Sequence, residues 1–235
     1  MRQWARREGE SLAMNEESVT LTMADGREVN IVRTEPDGRG DGWLLIYAPG
    51  AGSSLRDRFG DFLAQELAPL GITVWRFQSP YMRKGKRRPD RPAVLEAAWS
   101  MVIENARSAG KRLVVGGRSM GGRIASQVVA GGVGVDAVTL FAYPLHPPGN
   151  PSKARVAHLG DVGAPTLFCS GTRDDFGTPD ELTTAAQDVP DHTVHLLDGA
   201  DHSFKTLKAS GKTEGEVWRE ALDTFTGWLL KLQSK

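Results

Sequence analysis

Short apolar runs alternate with segments whose apolar residues recur at helical spacing along most of the chain. Continuous apolar runs are typical of strands covered on both faces of a parallel sheet, and here they are Trp43–Ala48, Ile72–Phe77, Leu113–Val115, Ala137–Ala142, Pro165–Ser170 and Thr193–Leu197. Between them, apolar residues three and four apart predict helices over Phe59–Leu70, Pro92–Ala106, Ile124–Val129, Pro179–Gln187 and Val217–Leu232. This alternation predicts an α/β fold with a mostly parallel twisted sheet of about eight strands and helices on both faces.

The pattern changes near the N-terminus. Val19–Met23 and Glu28–Val32 flank an Asp-Gly turn and predict two short antiparallel strands at the sheet edge. Residues 1–18 lack the apolar stretch of about 7–15 residues that a signal peptide requires, so we predict a flexible extension there and a single domain over residues 19–235. No run approaches the roughly 20 apolar residues that span a bilayer.

Composition narrows the choice of partners. The 235 residues include 29 Lys and Arg against 29 Asp and Glu, and aromatic content is 7%, so nothing global indicates a nucleic-acid or membrane surface. Cys169 is the single cysteine and cannot form an internal disulfide, which suits a reducing compartment. We interpret it as a buried strand residue and expect a cytoplasmic protein.

Candidate chemistry begins at Gly117-Arg-Ser-Met-Gly121, which follows an apolar run and precedes a helical pattern. This G-x-S-x-G arrangement predicts a tight strand-to-helix turn that exposes the hydroxyl of Ser119 at a helix N-terminus. A glycine-rich turn before a helix can also bind phosphates. However, Arg123 and Ile124 stand where a phosphate loop needs Lys and Ser or Thr, and no G-x-G-x-x-G is present.

A nucleophilic serine needs a histidine base and a carboxylate that orients it, in the chain order Ser, Asp or Glu, His. Asp174 directly follows one predicted strand, with Asp175 as its rival, and His202 follows the last predicted strand. We therefore predict a Ser119–His202–Asp174 triad. His146, His158, His192 and His195 fit less well, and we interpret the last three as structural or exposed. No metal-ligand spacing is present, so we expect no metal.

A triad also needs hydrogen-bond donors for the oxyanion. We predict that the backbone N–H of Met120 is one donor, because Met120 follows the serine at the start of a helix. The second donor should come from the Pro49–Gly52 loop after the Trp43–Ala48 strand, with Ala51 as first choice and Gly52 as second. The alternative is that this loop is only a tight turn.

The motifs resemble those of the α/β-hydrolase superfamily. Within it the chain is similar to the dienelactone-hydrolase-like branch, which includes testis-expressed protein thirty and the hydrolase-like domain of the third subunit of the NSL histone acetyltransferase complex. The matching segments are Ala48–Gly52, Pro80–Arg83, Arg88–Pro92, Gly117–Arg123, Tyr143–Gly149, Gly171–Asp174 and Gly199–His202. The resemblance implies an α/β-hydrolase fold without a large lid domain.

The resemblance also implies a serine hydrolase that acts, without a cofactor, on an ester or thioester of a small acid. Two departures matter: Pro49 stands where the family commonly has histidine, and Ser119 stands where dienelactone hydrolase has a cysteine nucleophile. Dienelactone chemistry is therefore not implied. The alternatives are a non-catalytic scaffold that binds a partner and, less favoured, a lipase-like enzyme.

We predict a polar loop over Tyr81–Arg91, which follows the Ile72–Phe77 strand and whose basic segment, Arg83–Arg91, carries six Lys and Arg residues. One interpretation is a solvated loop with an ion pair between Asp90 and Arg88 or Arg91, of little energetic value. The other is that Arg88 and Arg91 bind a carboxylate or phosphate on an anionic substrate, since the planar guanidinium suits both groups. The oligomeric state is open.

Overall fold

The computed structural model describes residues 15–38, 40 and 42–234. Its strands are β1 (Asn15–Thr22), β2 (Glu28–Glu35), β3 (Trp43–Ala48), β4 (Thr73–Gln78), β5 (Arg112–Arg118), β6 (Ala137–Phe141), β7 (Thr166–Gly171) and β8 (His192–Leu197). Its α-helices are α1 (Arg58–Leu67), α2 (Pro80–Arg83), α3 (Pro92–Arg107), α4 (Met120–Ala130), α5 (Pro179–Ala186) and α6 (Glu214–Gln233). Short 3₁₀ turns cover Ala68–Leu70, Pro151–Lys153, Leu159–Asp161 and Lys208–Ser210.

The strands form one eight-stranded sheet in the order β1-β2-β4-β3-β5-β6-β7-β8. β1 and β2 are antiparallel, as are β2 and β4, whereas β3–β4, β6–β7 and β7–β8 are parallel pairs. The prediction of an α/β-hydrolase fold with a mostly parallel sheet of about eight strands is therefore confirmed. Within the part of the chain that the structure describes, no large lid domain is evident between the strands.

The chain divides into two compact units, residues 1–115 and 116–235, and the boundary falls inside β5. Each unit has its own buried core of strand and helix residues. The expectation of a single domain over residues 19–235 stays a prediction.

In the first unit, the edge strand is longer than predicted. β1 begins at Asn15 rather than Val19, and Asn15–Ser18 pair with Val32–Glu35 of β2. Glu16 contacts the guanidinium of Arg76 on β4, a residue that is 1% exposed. This ion pair and the strand pairing hold a polar segment that has no apolar pattern, so assigning residues 15–18 to a flexible extension was wrong. Residues 1–14 lie outside the described part.

A second correction concerns the segment after β4, which we predicted to be a polar loop from Tyr81 onward. It begins instead with the helical turn α2, and Tyr81 is buried. Pro80 at the first helical position fixes a helical φ, and the Tyr81 N–H donates to the carboxylate of Asp90 at 3.0 Å. The basic loop, residues 83–91, therefore starts at the last residue of α2, and its Lys and Arg side chains are exposed.

In the second unit, β6, β7 and β8 run parallel, with Phe141 opposite Cys169 and Gly171 opposite Leu197. The loops that follow β7 and β8 consequently leave the sheet at the same edge. Cys169 lies fully buried on β7, as predicted, and burial raises the pKa of its thiol. Among the described residues, no helix is long and apolar enough to cross a membrane.

Candidate active site

The turn between β5 and α4 has the geometry of a nucleophile elbow. Ser119 has φ 53° and ψ −120°, and its N–H donates to the carbonyl of Phe141 at 2.8 Å. A non-glycine residue at positive φ costs on the order of 1–3 kcal/mol, and such strain is concentrated at functional sites. The surrounding contacts hold Ser119 in this conformation, as the G-x-S-x-G motif predicts.

Close backbone packing around the turn explains why two further positions, Gly116 and Gly122, are glycine. A Cβ on Gly116 would lie 1.8 Å from the carbonyl oxygen of Thr139 on β6. A Cβ on Gly122 would lie 2.6 Å from the carbonyl oxygen of Gly117. Both distances are far shorter than van der Waals contact, so the strand and the helix can approach only because these positions lack side chains.

The elbow serine, an imidazole and a carboxylate form one chain of hydrogen bonds inside the second unit. His202 Nε2 lies 2.8 Å from Ser119 Oγ, and His202 Nδ1 lies 2.8 and 2.9 Å from the two carboxylate oxygens of Asp174. An ionised carboxylate can only accept, so the ring proton must sit on Nδ1. Nε2 is then free to accept the hydroxyl proton of Ser119, which is the arrangement that base catalysis requires.

Of the two adjacent aspartates, Asp174 and Asp175, only Asp174 is buried. It is 5% exposed, and one of its oxygens also accepts the backbone N–H of Phe176 at 2.8 Å, whereas the neighbouring Asp175 is exposed. The side chain of His202 is 21% exposed. The carboxylate is thus held on the far side of the imidazole from the serine, in the position of a residue that orients a catalytic base.

The loops that carry Asp174 and His202 are joined by backbone contacts that the sequence did not reveal. The N–H of Arg173 donates to the carbonyl of Ala200 at 2.9 Å, and the N–H of Gly199 donates to the hydroxyl of Thr172 at 2.8 Å. A Cβ on Gly171 would lie 2.1 Å from the oxygen of Ala200. Gly171 therefore allows the close approach of the two loops that carry Asp174 and His202.

The histidine loop is also fixed within itself. The carboxylate of Asp201 accepts the N–H groups of Ser203 and Lys205 at 2.8 and 3.0 Å. Phe204 is fully buried with φ 63°, a conformation rare for an aromatic residue. A buried ring and two turn bonds thus hold the backbone on the C-terminal side of His202.

The other four histidines lie elsewhere. Among the interactions that the structure gives them, His192 Nδ1 contacts the carbonyl of Val189, and His195 Nε2 contacts Glu220. His158 contacts the hydroxyl of Ser126, and burial lowers its pKa. The carbonyl of Pro147 next to His146 Nδ1 raises the pKa of His146. Among the described residues, no cluster of three His, Cys, Asp or Glu side chains could hold a metal ion.

The two predicted oxyanion donors lie in different units. Met120 is the first residue of α4, where a backbone N–H has no acceptor within the helix, and its side chain is buried. Ala51 lies in an exposed turn that follows β3, together with Gly52. Their shared role in an oxyanion hole stays a prediction.

The two arginines predicted to bind substrate are exposed. Neither forms an ion pair with any residue of the described part of the chain. The contact expected between Asp90 and Arg88 or Arg91 is wrong, because the Asp90 carboxylate turns inward to the N–H of Tyr81. That bond anchors the C-terminal end of the basic loop and leaves both guanidinium groups in solvent.

Comparison with known proteins supports the fold. A family model described as an alpha/beta hydrolase domain matches residues 41–230. An alpha-beta serine hydrolase homologue from Coxiella burnetii is similar over 91% of this chain and 99% of its own, with TM-score 0.72 and 18% identity. Est1E from Butyrivibrio proteoclasticus with ferulic acid bound is similar over 92% and 100%, with TM-score 0.77 and 12% identity. Dienelactone hydrolase from Anabaena variabilis is similar over 91% of this chain and 98% of its own, with TM-score 0.67 and 20% identity.

Proposed function

The chain belongs to the alpha/beta hydrolase domain family, and on that premise we propose that it is a serine hydrolase that cleaves an ester or thioester of a small acid. One observation carries the proposal: Ser119, His202 and Asp174 form an unbroken chain of hydrogen bonds of 2.8–2.9 Å at a strained strand-to-helix turn. A scaffold protein has no physical need for a strained serine that is bonded to an oriented imidazole.

In the first half-reaction, Ser119 Oγ attacks the carbonyl carbon of the substrate while its proton passes to His202 Nε2. The carbonyl π electrons move onto oxygen, and a tetrahedral oxyanion forms. Asp174 stabilises the imidazolium without taking its proton. When the oxyanion collapses, the bond to the alcohol or thiol breaks and His202 protonates the leaving group, which leaves an acyl ester on Ser119.

In the second half-reaction, water takes the place of the alcohol. His202 Nε2 accepts a proton from the attacking water, the tetrahedral adduct forms again, and its collapse expels Ser119 Oγ, which recovers its proton from His202. The products are the free acid and the regenerated serine. The backbone N–H groups of Met120 and Ala51 are the donors that we assign to the oxyanion in both steps, and each such donor contributes about 10²–10³ in kcat.

The substrate assignment to a small acid is supported by one relative. Est1E from Butyrivibrio proteoclasticus binds ferulic acid, a compact carboxylic acid. In this chain, the exposed Arg88 and Arg91 are the cations that we assign to a carboxylate or phosphate on the substrate. We further assign the chain to the dienelactone-hydrolase-like branch and to the cytoplasm, where its single cysteine stays reduced.

The test is a panel of p-nitrophenyl esters and acyl thioesters of increasing acyl length. Wild-type protein is expected to hydrolyse short acyl groups of at least one class, and Ser119→Ala to remove that activity. Ser203→Ala is the matched control, because Ser203 is an exposed serine next to His202 and should keep full activity. Equal activity in wild type and Ser119→Ala, or none in folded wild type, would overturn the proposal.

A further inference from the structure

Phe176 makes three contacts that tie it to the proposed catalytic chain. Its ring stacks on the imidazole of His202, with centroids 3.9 Å apart and planes inclined by 24°. Its N–H donates to a carboxylate oxygen of Asp174 at 2.8 Å, and its carbonyl accepts the N–H of His146 at 3.1 Å. Phe176 therefore touches the acid through its backbone and the base through its ring.

We propose that Phe176 is a positioning residue that holds His202 in its catalytic orientation and stabilises the imidazolium formed during hydrolysis. The catalytic part of this inference rests on the proposed function, but the contact between ring and imidazole does not. Phe176 acts through His202, and no bond to it forms or breaks in the reaction.

The face of a phenyl ring carries partial negative charge from its π electrons. A cation within about 6 Å of the ring centre is attracted to that face, and the attraction strengthens where water is excluded. His202 becomes a cation when it takes the proton of Ser119, and the ring of Phe176 is half-buried against it. The stacked ring thus stabilises the protonated imidazole more than the neutral one.

Backbone contacts keep the ring in place. The bonds to Asp174 and from His146 fix the peptide groups on both sides of the Phe176 Cα. The next residue, Gly177, lies so close to Leu145 that a Cβ would come within 2.5 Å of that side chain. The acid loop cannot slide along the 143–149 loop without losing these contacts, so the ring stays over the imidazole.

Other ionisable groups around His202 do not duplicate this role. Asp174 contacts the Nδ1 edge and Ser119 the Nε2 edge, whereas the ring of Phe176 lies on a face. The remaining charged residues on the loops over residues 172–178 and 198–207 are Arg173, Asp175, Asp198, Asp201 and Lys205. Arg173 bonds to the carbonyl of Gly199, and Asp201 bonds to backbone N–H groups of its own turn.

The kinetic test compares Phe176→Leu with Phe176→Tyr. Leucine keeps an apolar cover over the imidazole but has no π face, so kcat should fall about tenfold, while KM changes less than twofold. Tyrosine keeps the ring and should restore kcat to within about twofold of wild type. Phe62→Leu is the matched control, because Phe62 is also half-buried and stacked on an aromatic ring, Phe59, but lies in the first unit.

A second readout is the pH dependence of the reaction. The acid limb of the kcat/KM profile should move to lower pH in Phe176→Leu, because loss of the π face destabilises the protonated imidazole, and Phe176→Tyr should restore it. An acid limb at the same pH in wild type and Phe176→Leu overturns the inference. Wild-type protein without esterase activity would instead overturn the proposed function. The ring contact is then tested by NMR, where the His202 ring protons should move downfield in Phe176→Leu because the stacked ring no longer shields them, and unmoved resonances overturn the inference.

Discussion

The two loops of the second unit that carry Asp174 and His202, which we propose to be the catalytic loops, differ from the basic loop of the first unit in how their ionisable groups are held. The Asp174 carboxylate is bonded to the imidazole of His202 and to the backbone N–H of Phe176, and a bond from the Gly199 N–H to the Thr172 hydroxyl joins the two loops. In the basic loop, Arg83 is paired with Glu28, and Asp90 with a backbone N–H. The other cations make no such contact with the described residues, and they are Lys84, Lys86, Arg87, Arg88 and Arg91.

The difference shows what each region can contribute. Ionisable groups that several contacts hold have one geometry, which bond-making and bond-breaking require. Exposed cations without partners keep many side-chain conformations. They attract an anion, but they take up one geometry around it only after it has bound. We therefore expect changes in the catalytic loops to affect kcat, and changes in the basic loop to affect KM and its dependence on salt.

We expect the largest effect when the buried carboxylate of Asp174 loses its charge. Asp175, the exposed carboxylate beside it, serves as the control. Asp174→Asn should lower kcat by about 10⁴-fold, because the amide no longer holds the proton of His202 on Nδ1. Asp175→Asn should change kcat less than about twofold, since Asp175 is exposed and outside the hydrogen-bond chain. Steady-state kinetics of the two variants decide the matter, and the reverse ranking would mean that Asp175 is the acid.

The next largest loss of kcat is expected when the two loops that carry Asp174 and His202 are pushed apart. Gly171→Ala places a Cβ 2.1 Å from the oxygen of Ala200, so the free energy of unfolding should fall by about 1–3 kcal/mol and kcat by about 100-fold.

Gly163→Ala is the matched control, because this glycine is exposed and a Cβ added to it would meet no atom of the described residues within 4 Å. Alanine at position 163 lowers the conformational entropy of the unfolded chain. The free energy of unfolding should therefore stay unchanged or rise by less than about 1 kcal/mol. Chemical denaturation and kinetics measured on both variants check the pair. Equal losses would show that the contact between Gly171 and Ala200 does not set the geometry.

In the basic loop, the expected effect is on binding alone. The double variant Arg88→Ala/Arg91→Ala should raise KM for carboxylate-bearing esters about tenfold and leave neutral esters of equal length unchanged. In wild type, KM for the anionic esters should rise with salt, because exposed charges are screened. Lys86→Ala, another exposed cation of the loop, is the control. Equal loss on both substrate classes would mean that the loop supports the fold.

The smallest effects concern two histidines of the second unit whose pKa values shift in opposite directions. Burial lowers the pKa of His158, so its contribution to stability is present above its unfolded pKa of about 6.5 and is lost as pH falls. The Pro147 carbonyl raises the pKa of His146, so its contribution is present at low pH and is lost as pH rises through the folded pKa.

His158→Gln should therefore weaken the loss of stability on acidification below about pH 6.5. His146→Gln should remove stability mainly on the acid side. Urea denaturation between pH 5 and 8 compares the variants with wild type. Identical pH dependence in all three proteins would show that neither interaction couples protonation to folding.

The sequence predicted the order of strands and helices and the positions of Ser119, Asp174 and His202 within it, because apolar periodicity and local turn motifs carry that information. It did not predict that Asn15–Ser18 form a strand, since this segment pairs with Val32–Glu35 and its Glu16 contacts Arg76, all of which are distant in sequence. The stacking of Phe176 on His202 was missed for the same reason, because two loops that are far apart along the chain create it.

The most direct test of the account is to identify the serine that reacts with a fluorophosphonate probe. After labelling, digestion and mass spectrometry, the account predicts one modified residue, Ser119, with no label in Ser119→Ala and much slower labelling in His202→Gln. Circular dichroism of each variant confirms that it is folded. A label on another serine, or folded wild-type protein that never reacts, would contradict the claim that Ser119 is an activated nucleophile.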